Sequence, residues 1–327
     1  MSTFPARRPR RLRTTPQMRN LVAETEVRPS DLILPMFIVD GLDAPREIPS
    51  MPGVYQHTFD SLRRAAEEAL EAGVPCIDLF GVPLDEDKDD TGSVAWDPQG
   101  ILNRGISCLH EEFGDDLIVM ADTCLDEFTS HGHCGVLDDK GRVLNDESVK
   151  LYQDMARSQA RAGAQIVSPS GMMDGQVGAI RADLDEAGHE DVAIMAYSAK
   201  YASAFFGPFR DAVGSSLEGD RRTYQQDPRN FRESLLEAEL DIEEGADFVM
   251  VKPGLPYLDV LSAVAETSPV PVAVYQVSGE YAMVKAAAAN GWIDGEAIML
   301  ESLTAFKRAG AGQILTYFAT EAARLLK

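Results

Sequence analysis

The sequence predicts an α/β protein of the (β/α)8, or TIM-barrel, class, preceded by an extended N-terminal arm. Short apolar runs alternate with amphipathic stretches from residue 32 to the end. The runs carry few polar residues, as strands buried on both faces require. Eight such runs within about 250 residues match one closed barrel. A doubly wound open sheet is the rival, but it would carry a Gly-rich phosphate turn after its first strand. LILPMFIVDGLDAP has none.

The elements follow in order. Residues 1–30 are rich in Arg and Pro and lack an apolar period, so they read as an arm, with 31–327 as the barrel. Phe4, Leu12, Met18 and Leu21 give such an arm apolar surface to bury against a neighbouring subunit; a disordered tail is the alternative. The predicted strands are LILPMFI (32–38), CIDLFGV (76–82), LIVMADT (117–123), QIVSPS (165–170), AIMAYS (193–198), FVMVKPG (248–254), PVAVYQV (271–277) and QILTYF (313–318). Helices are expected over 58–73, 147–163 and 230–245, each stopping at a Gly that leads into a strand,. Two segments, 83–100 and 207–228, are long for loops and follow strand ends, where barrel enzymes build sites and lids,.

Composition narrows the functional classes. Hydrophobic residues make up 45% of the chain, enough for a substantial core,. The formal net charge of −23 repels nucleic acid and anionic membrane, so neither is an expected partner,. A solvated acidic surface accounts for the charge; adaptation to high salt is the sharper alternative. Cys76, Cys108, Cys124 and Cys134 are too few for a disulfide framework and read as reduced thiols of a cytoplasmic protein,. The basic N-terminus has no apolar core of a secretory signal, and no apolar run reaches membrane-spanning length,.

Two lysines carry the chemical signal. Lys200 follows the fifth strand and Lys252 ends the sixth. A buried ammonium is costly, and desolvation together with a second cation depresses a lysine pKa. The free amine so produced attacks carbonyls, which points to Schiff-base chemistry. Separate salt bridges to strand-end carboxylates are the alternative. Asp122, Ser170, Asp174, Tyr197, Ser278 and Tyr317 gather at the same strand ends as a polar cup. Arg210, Arg221 and Arg222 lie in the loop after Lys200 and suit bidentate capture of a carboxylate,. Cys124, Asp126, His131, His133 and Cys134 cluster in one strand-end loop and are zinc-ligand types, although the spacing is not that of a zinc finger,.

SPSGMMDGQVGAIR, MAYSAKYASAFFGPFRDA, GADFVMVKPGLPYLD and YQVSGEYAMVKAA resemble the porphobilinogen synthase (5-aminolevulinate dehydratase) family, as do RPRRLR, LNDESV and ESLTAFKRAGAGQILTYF. The resemblance runs from about residue 8 to the C-terminus. It implies a lyase of tetrapyrrole (heme) biosynthesis that joins two 5-aminolevulinate molecules into porphobilinogen with loss of two waters. By resemblance, Lys252 holds the first substrate, with Ser278 and Tyr317 on its carboxylate. Lys200 holds the second, with Arg210, Arg221 and Gln225 as clamp and Asp122, Ser170 and Tyr197 near its amine. One branch of the family binds zinc through three cysteines, at positions matching 124, 126 and 134; another replaces them largely with Asp and Ala. This chain is intermediate, with Cys124, Asp126 and Cys134, and its two thiols favour zinc, whereas Asp126 tilts the site toward magnesium,. Glu237 matches an allosteric magnesium site and Arg11 an arm residue near it,. A homo-octamer joined through the arms is also implied. Two other readings stay open: a class I aldolase-type barrel using one lysine, and a non-catalytic metal-binding barrel.

Overall fold

The structure, a computed structural model, describes residues 6–217 and 219–327, so Phe4 lies outside the described residues. Eight parallel strands close into a barrel: Leu32–Val39, Cys76–Val82, Ile118–Thr123, Ile166–Pro169, Ala193–Lys200, Phe248–Lys252, Val272–Gln276 and Gln313–Thr316. The eighth pairs with the first through Leu32↔Ile314 and Ile33↔Leu315, which closes the ring. The strands are buried nearly throughout, which is why they read as continuous apolar runs rather than alternating ones,.

Helices between the strands cover the barrel. Helix Phe59–Ala72 starts where Thr58 accepts from the Ser61 N–H, and it ends at Gly73, whose φ of 97° needs a residue without a Cβ,. Its Leu62, Ala66 and Ala69 face the barrel with no exposed surface. A side chain the size of Leu62 contributes roughly 2 kcal/mol when buried so completely. Helix Asn145–Ala162 stops in the same way at Gly163, with φ of 109°. The third expected helix is shorter than its pattern, spanning Arg232–Glu243.

Three features depart from the sequence expectation. A short ribbon, Arg46–Glu47 against Tyr55–His57, extends the sheet beside the first strand. The segment 207–228 is not loop throughout, since Gly207–Val213 forms a short helix. The fifth strand runs two residues further than its apolar run, to Lys200, across an irregularity between Ala196 and Ala199. Ahead of the barrel, the arm carries a 3-10 turn (Pro9–Leu12) and a helix (Pro16–Leu21) that bury no side chain. Among the described residues no helix is long and apolar enough to cross a membrane.

Candidate active site

The irregularity in the fifth strand decides the site. Beyond it, Lys200 pairs directly with Lys252 on the sixth strand. In-register residues of adjacent parallel strands point the same way, so both amines enter the barrel mouth together. Both lysines are nearly fully buried. Lys200 Nζ donates to the Ser170 carbonyl at 2.5 Å. Lys252 Nζ lies in an aromatic box, 4.1 Å from the Tyr275 ring centre, 4.9 Å from Tyr197 and 5.5 Å from both Phe206 and Phe209. Burial, reinforced by the Lys200 charge, pulls Lys252 down to about 7, against the pull of Asp122, Asp78 and Asp126,. The aromatic faces favour the charged form, so desolvation is the winning effect.

A cavity of ≈ 220 Å³ opens over the lysines. Its walls include Asp122, Ser170, Arg210, Arg221, Gln225, Ser278 and Tyr317. Burial lifts Asp122 to about 6, although both lysines and a bond with Ser170 act the other way. Ser278 accepts from the Phe209 N–H at 3.0 Å and donates to the Phe205 carbonyl at 3.3 Å. It therefore fastens the root of the 207–228 segment as well as facing the cavity. Tyr317 and Tyr275 share a hydroxyl–hydroxyl bond of 3.1 Å. Tyr197 lies beneath the lysines and bonds Asp78. Of the polar cup expected from sequence, Asp174 is absent: it is exposed, its N–H held by Asn145. Arg222 lines the cavity but is solvent-facing, 3.8 Å from Asp220.

The cysteine loop is gathered beside this cavity. Ligand atoms of Cys124, Asp126 and Cys134 lie within 4.8 Å of one another, and all three residues are buried. His131 and His133 stand outside that group; His133 Nδ1 meets the Tyr224 hydroxyl instead. Burial would raise Cys134, but the bond from Cys124 and the charge of Arg221 outweigh it and hold its thiol low. Cys124 is raised by burial and by that same bond. One of the two sulfurs is thus the readier thiolate, the form that ligates soft cations.

Asp126 has a second partner. Arg221 Nη2 sits 2.7 Å from its carboxylate and 2.9 Å from the Gly132 carbonyl. Burial alone would raise Asp126, yet Arg221 and Lys200 hold it well below the usual carboxylate range. The pair ties the 207–228 segment to the cysteine loop, and Tyr224 and Ser216 add bonds to His133 and the Ser130 carbonyl. Breaking a buried pair leaves an uncompensated charge. Asp126→Ala is therefore expected to loosen the attachment of this segment. A loss of about 1.4 kcal/mol already raises the open population about tenfold, and limited proteolysis within 207–228 reads it.

Glu237 lies apart, on helix Arg232–Glu243 near Asp241 and Gln176. Burial, helped by the charges of Asp174, Glu233 and Glu244, lifts it to about 7. Sequence reasoning missed Asp78, Glu127 and the aromatic box. Asp78, in the barrel interior, and Glu127, at its mouth, are buried carboxyls, each with one oxygen lacking a hydrogen-bond partner among the described residues. An Asp inside an otherwise apolar strand, CIDLFGV, was the available signal for the first.

Comparison with known proteins agrees with this geometry. The family model described as delta-aminolevulinic acid dehydratase matches residues 6–325. The delta-aminolevulinic acid dehydratase of Mycobacterium tuberculosis is 63% identical over 323 residues, covering 99% of this chain and 98% of that protein. That of Streptomyces coelicolor is 63% identical over 325 residues, with the same coverage. The crystal structure of the Toxoplasma gondii ME49 enzyme, in complex with the reaction product porphobilinogen, superposes with a TM-score of 0.95 at 48% identity. It covers 98% of this chain and 91% of that one. With the whole barrel, from arm to last helix, matched by both model and relatives, the chain belongs to the delta-aminolevulinic acid dehydratase family.

Proposed function

We propose that the chain carries out the hydro-lyase reaction of its family, condensing two 5-aminolevulinate molecules to porphobilinogen with loss of two waters, and that Lys252 and Lys200 each bind one substrate as a Schiff base. The observation that carries this reading is the in-register pairing of two buried lysines, one of them with its pKa drawn down to about 7. A class I aldolase needs one such amine and leaves the second unexplained.

Each lysine's lone pair adds to a substrate ketone and water departs. The resulting iminium acidifies the neighbouring carbon, which permits carbon–carbon bond formation at one substrate and carbon–nitrogen exchange at the other. Holding two small molecules in fixed orientation in one closed cavity supplies much of the rate. We assign Ser278 and Tyr317 to the carboxylate of the Lys252-bound molecule. Arg210, Arg221 and Gln225 serve that of the Lys200-bound one. The Arg221 Nε and Gln225 Nε2 donors, buried and without protein partners among the described residues, support this assignment,. We assign Asp122, Ser170 and Tyr197 to the surroundings of the second substrate's amine. With its pKa near 6, Asp122 can exchange a proton close to neutral pH,.

The donor set of Cys124, Asp126 and Cys134 fits a zinc ion with one open position,. These residues would hold the zinc, which would supply Lewis-acid polarisation of a substrate oxygen or a ligand position for its amine. We assign a regulatory magnesium to Glu237, where neighbouring carboxylates offer hard oxygen ligands,. The arm is assigned to subunit contacts in a homo-octamer, supported by Leu21, 78% exposed, with Leu12 and Val22 beside it,.

The proposal is tested by supplying 5-aminolevulinate and measuring porphobilinogen colorimetrically. Folded protein that yields no product with either zinc or magnesium overturns it. The pH dependence is a sharper check. Below about 7 the Lys252 amine is protonated and has no lone pair to give, so imine formation is expected to rise with pH through about 7,. A midpoint near that of an ordinary lysine contradicts the assignment.

A further inference from the structure

Inside a (β/α)8 barrel the layers beneath the mouth are filled chiefly by branched apolar side chains. Asp78 breaks that rule. It sits mid-way along the second strand with no exposed surface. Strand alternation puts it on the same face as Phe80, which lines the cavity,. Its register with Met120 sets it one layer below Asp122. A carboxyl in that layer is costly unless fully hydrogen-bonded, and this one is not. Oδ2 accepts from the Tyr197 hydroxyl at 3.3 Å, while Oδ1 has no partner among the described residues. Tyr197 belongs to the irregular stretch of the fifth strand, and its ring centre lies 4.9 Å from Lys252 Nζ and 5.3 Å from Lys200 Nζ.

We infer that Asp78 is a positioning residue of the reaction: it anchors Tyr197 beneath both amines and is the buried counter-ion of the cation that forms when Lys252 carries substrate. The inference rests on the Schiff-base reading and deepens it. When the Lys252 lone pair adds to a ketone, the carbonyl oxygen leaves as water and the nitrogen keeps one proton. The balance is amine plus ketone plus H⁺ giving iminium plus H₂O. A free amine is neutral and tolerates the aromatic box; the iminium is a fixed cation within it. Aromatic faces give such a cation modest support, whereas a carboxylate in a low-dielectric interior gives more.

The charged and titratable groups around Asp78 come from five strands. They are Cys76 on its own strand, Asp122 on the third, Tyr197 on the fifth, Lys252 on the sixth and Tyr275 on the seventh, with Tyr317 just past the eighth. Burial and the Asp122 charge push the Asp78 pKa up, while Lys252 and the Tyr197 hydroxyl pull it down. A cation made permanent at Lys252 strengthens that downward pull, so iminium formation and ionisation of Asp78 favour one another.

Asp78→Leu and Asp78→Asn in the full-length, metal-loaded protein test this. Borohydride trapping with 5-aminolevulinate, read at the Lys252 peptide across pH, is measured beside the melting temperature. Leu removes a poorly bonded carboxyl, so the melting temperature is expected to hold or rise, while the trapped Lys252 adduct falls at least about tenfold at neutral pH. Asn keeps an acceptor for Tyr197 but not the charge, and is expected to lose trapping without losing stability. Variants that trap Lys252 with the wild-type pH profile overturn the inference. So does a Leu variant that loses trapping only as it loses stability, with Asn restoring both. Wild-type protein that traps nothing at Lys252 sinks the Schiff-base reading itself, an outcome distinct from failure in the variants alone.

Discussion

Lys252→Ala is expected to lower the rate of porphobilinogen formation by roughly 10⁴-fold or more, with the protein still folded. The side chain contributes little to stability, because its amine is desolvated among Tyr275, Tyr197, Phe206 and Phe209 and makes no salt bridge among the described residues. Its chemical role cannot be taken by a neighbour. Lys200 is engaged at the Ser170 carbonyl. Lys252→Arg is expected to be as inactive as Ala, since a guanidinium stays protonated and does not form an imine. Lys200→Ala is expected to fall comparably, and the double variant hardly further, because two groups that act in one assembly are not additive. Steady-state product assays on the four variants, with circular dichroism to establish folding, check this.

Removal of the zinc assigned to the cysteine loop is the second large expected effect. Cys124 and Cys134 present two sulfurs beside a carboxylate, with the Cys134 thiol held low. Chelation is expected to reduce product formation by about 10²-fold or more, with zinc restoring it. Cys134→Ala is expected to lose bound zinc as well as activity, which metal analysis of the purified protein reads independently of turnover. Recovery with magnesium alone would place the requirement at Glu237 instead. Asp126 makes the outcome informative, because its carboxylate is shared with Arg221. A metal bound in the cysteine loop would share the Asp126 carboxylate with Arg221, a competition a cysteine at 126 would not create.

Much of the fold was legible. Strands such as CIDLFGV and AIMAYS are long enough, apolar enough and well enough punctuated by Gly to be read directly. The lysines were legible because a cation at the end of such a strand is costly. What was not legible depends on register. The irregularity between Ala196 and Ala199 leaves no mark in composition, yet it puts Lys200 opposite Lys252. The Arg221–Asp126 pair joins residues far apart in sequence, so the arginine read only as a substrate clamp. Asp174 was misplaced for a related reason: it stands in the turn before helix Gln176–Glu186, outside the cup. The box around Lys252 draws its rings from three separate segments, and no single stretch of sequence announces it.

The most direct test of the central claim is to incubate the protein with 5-aminolevulinate, reduce with borohydride and locate the modified residues by peptide mass spectrometry. Stable adducts on Lys252 and on Lys200, and on none of the surface lysines, are the expected result. Folded protein that carries no adduct, or carries adducts only on lysines outside the barrel mouth, would contradict it.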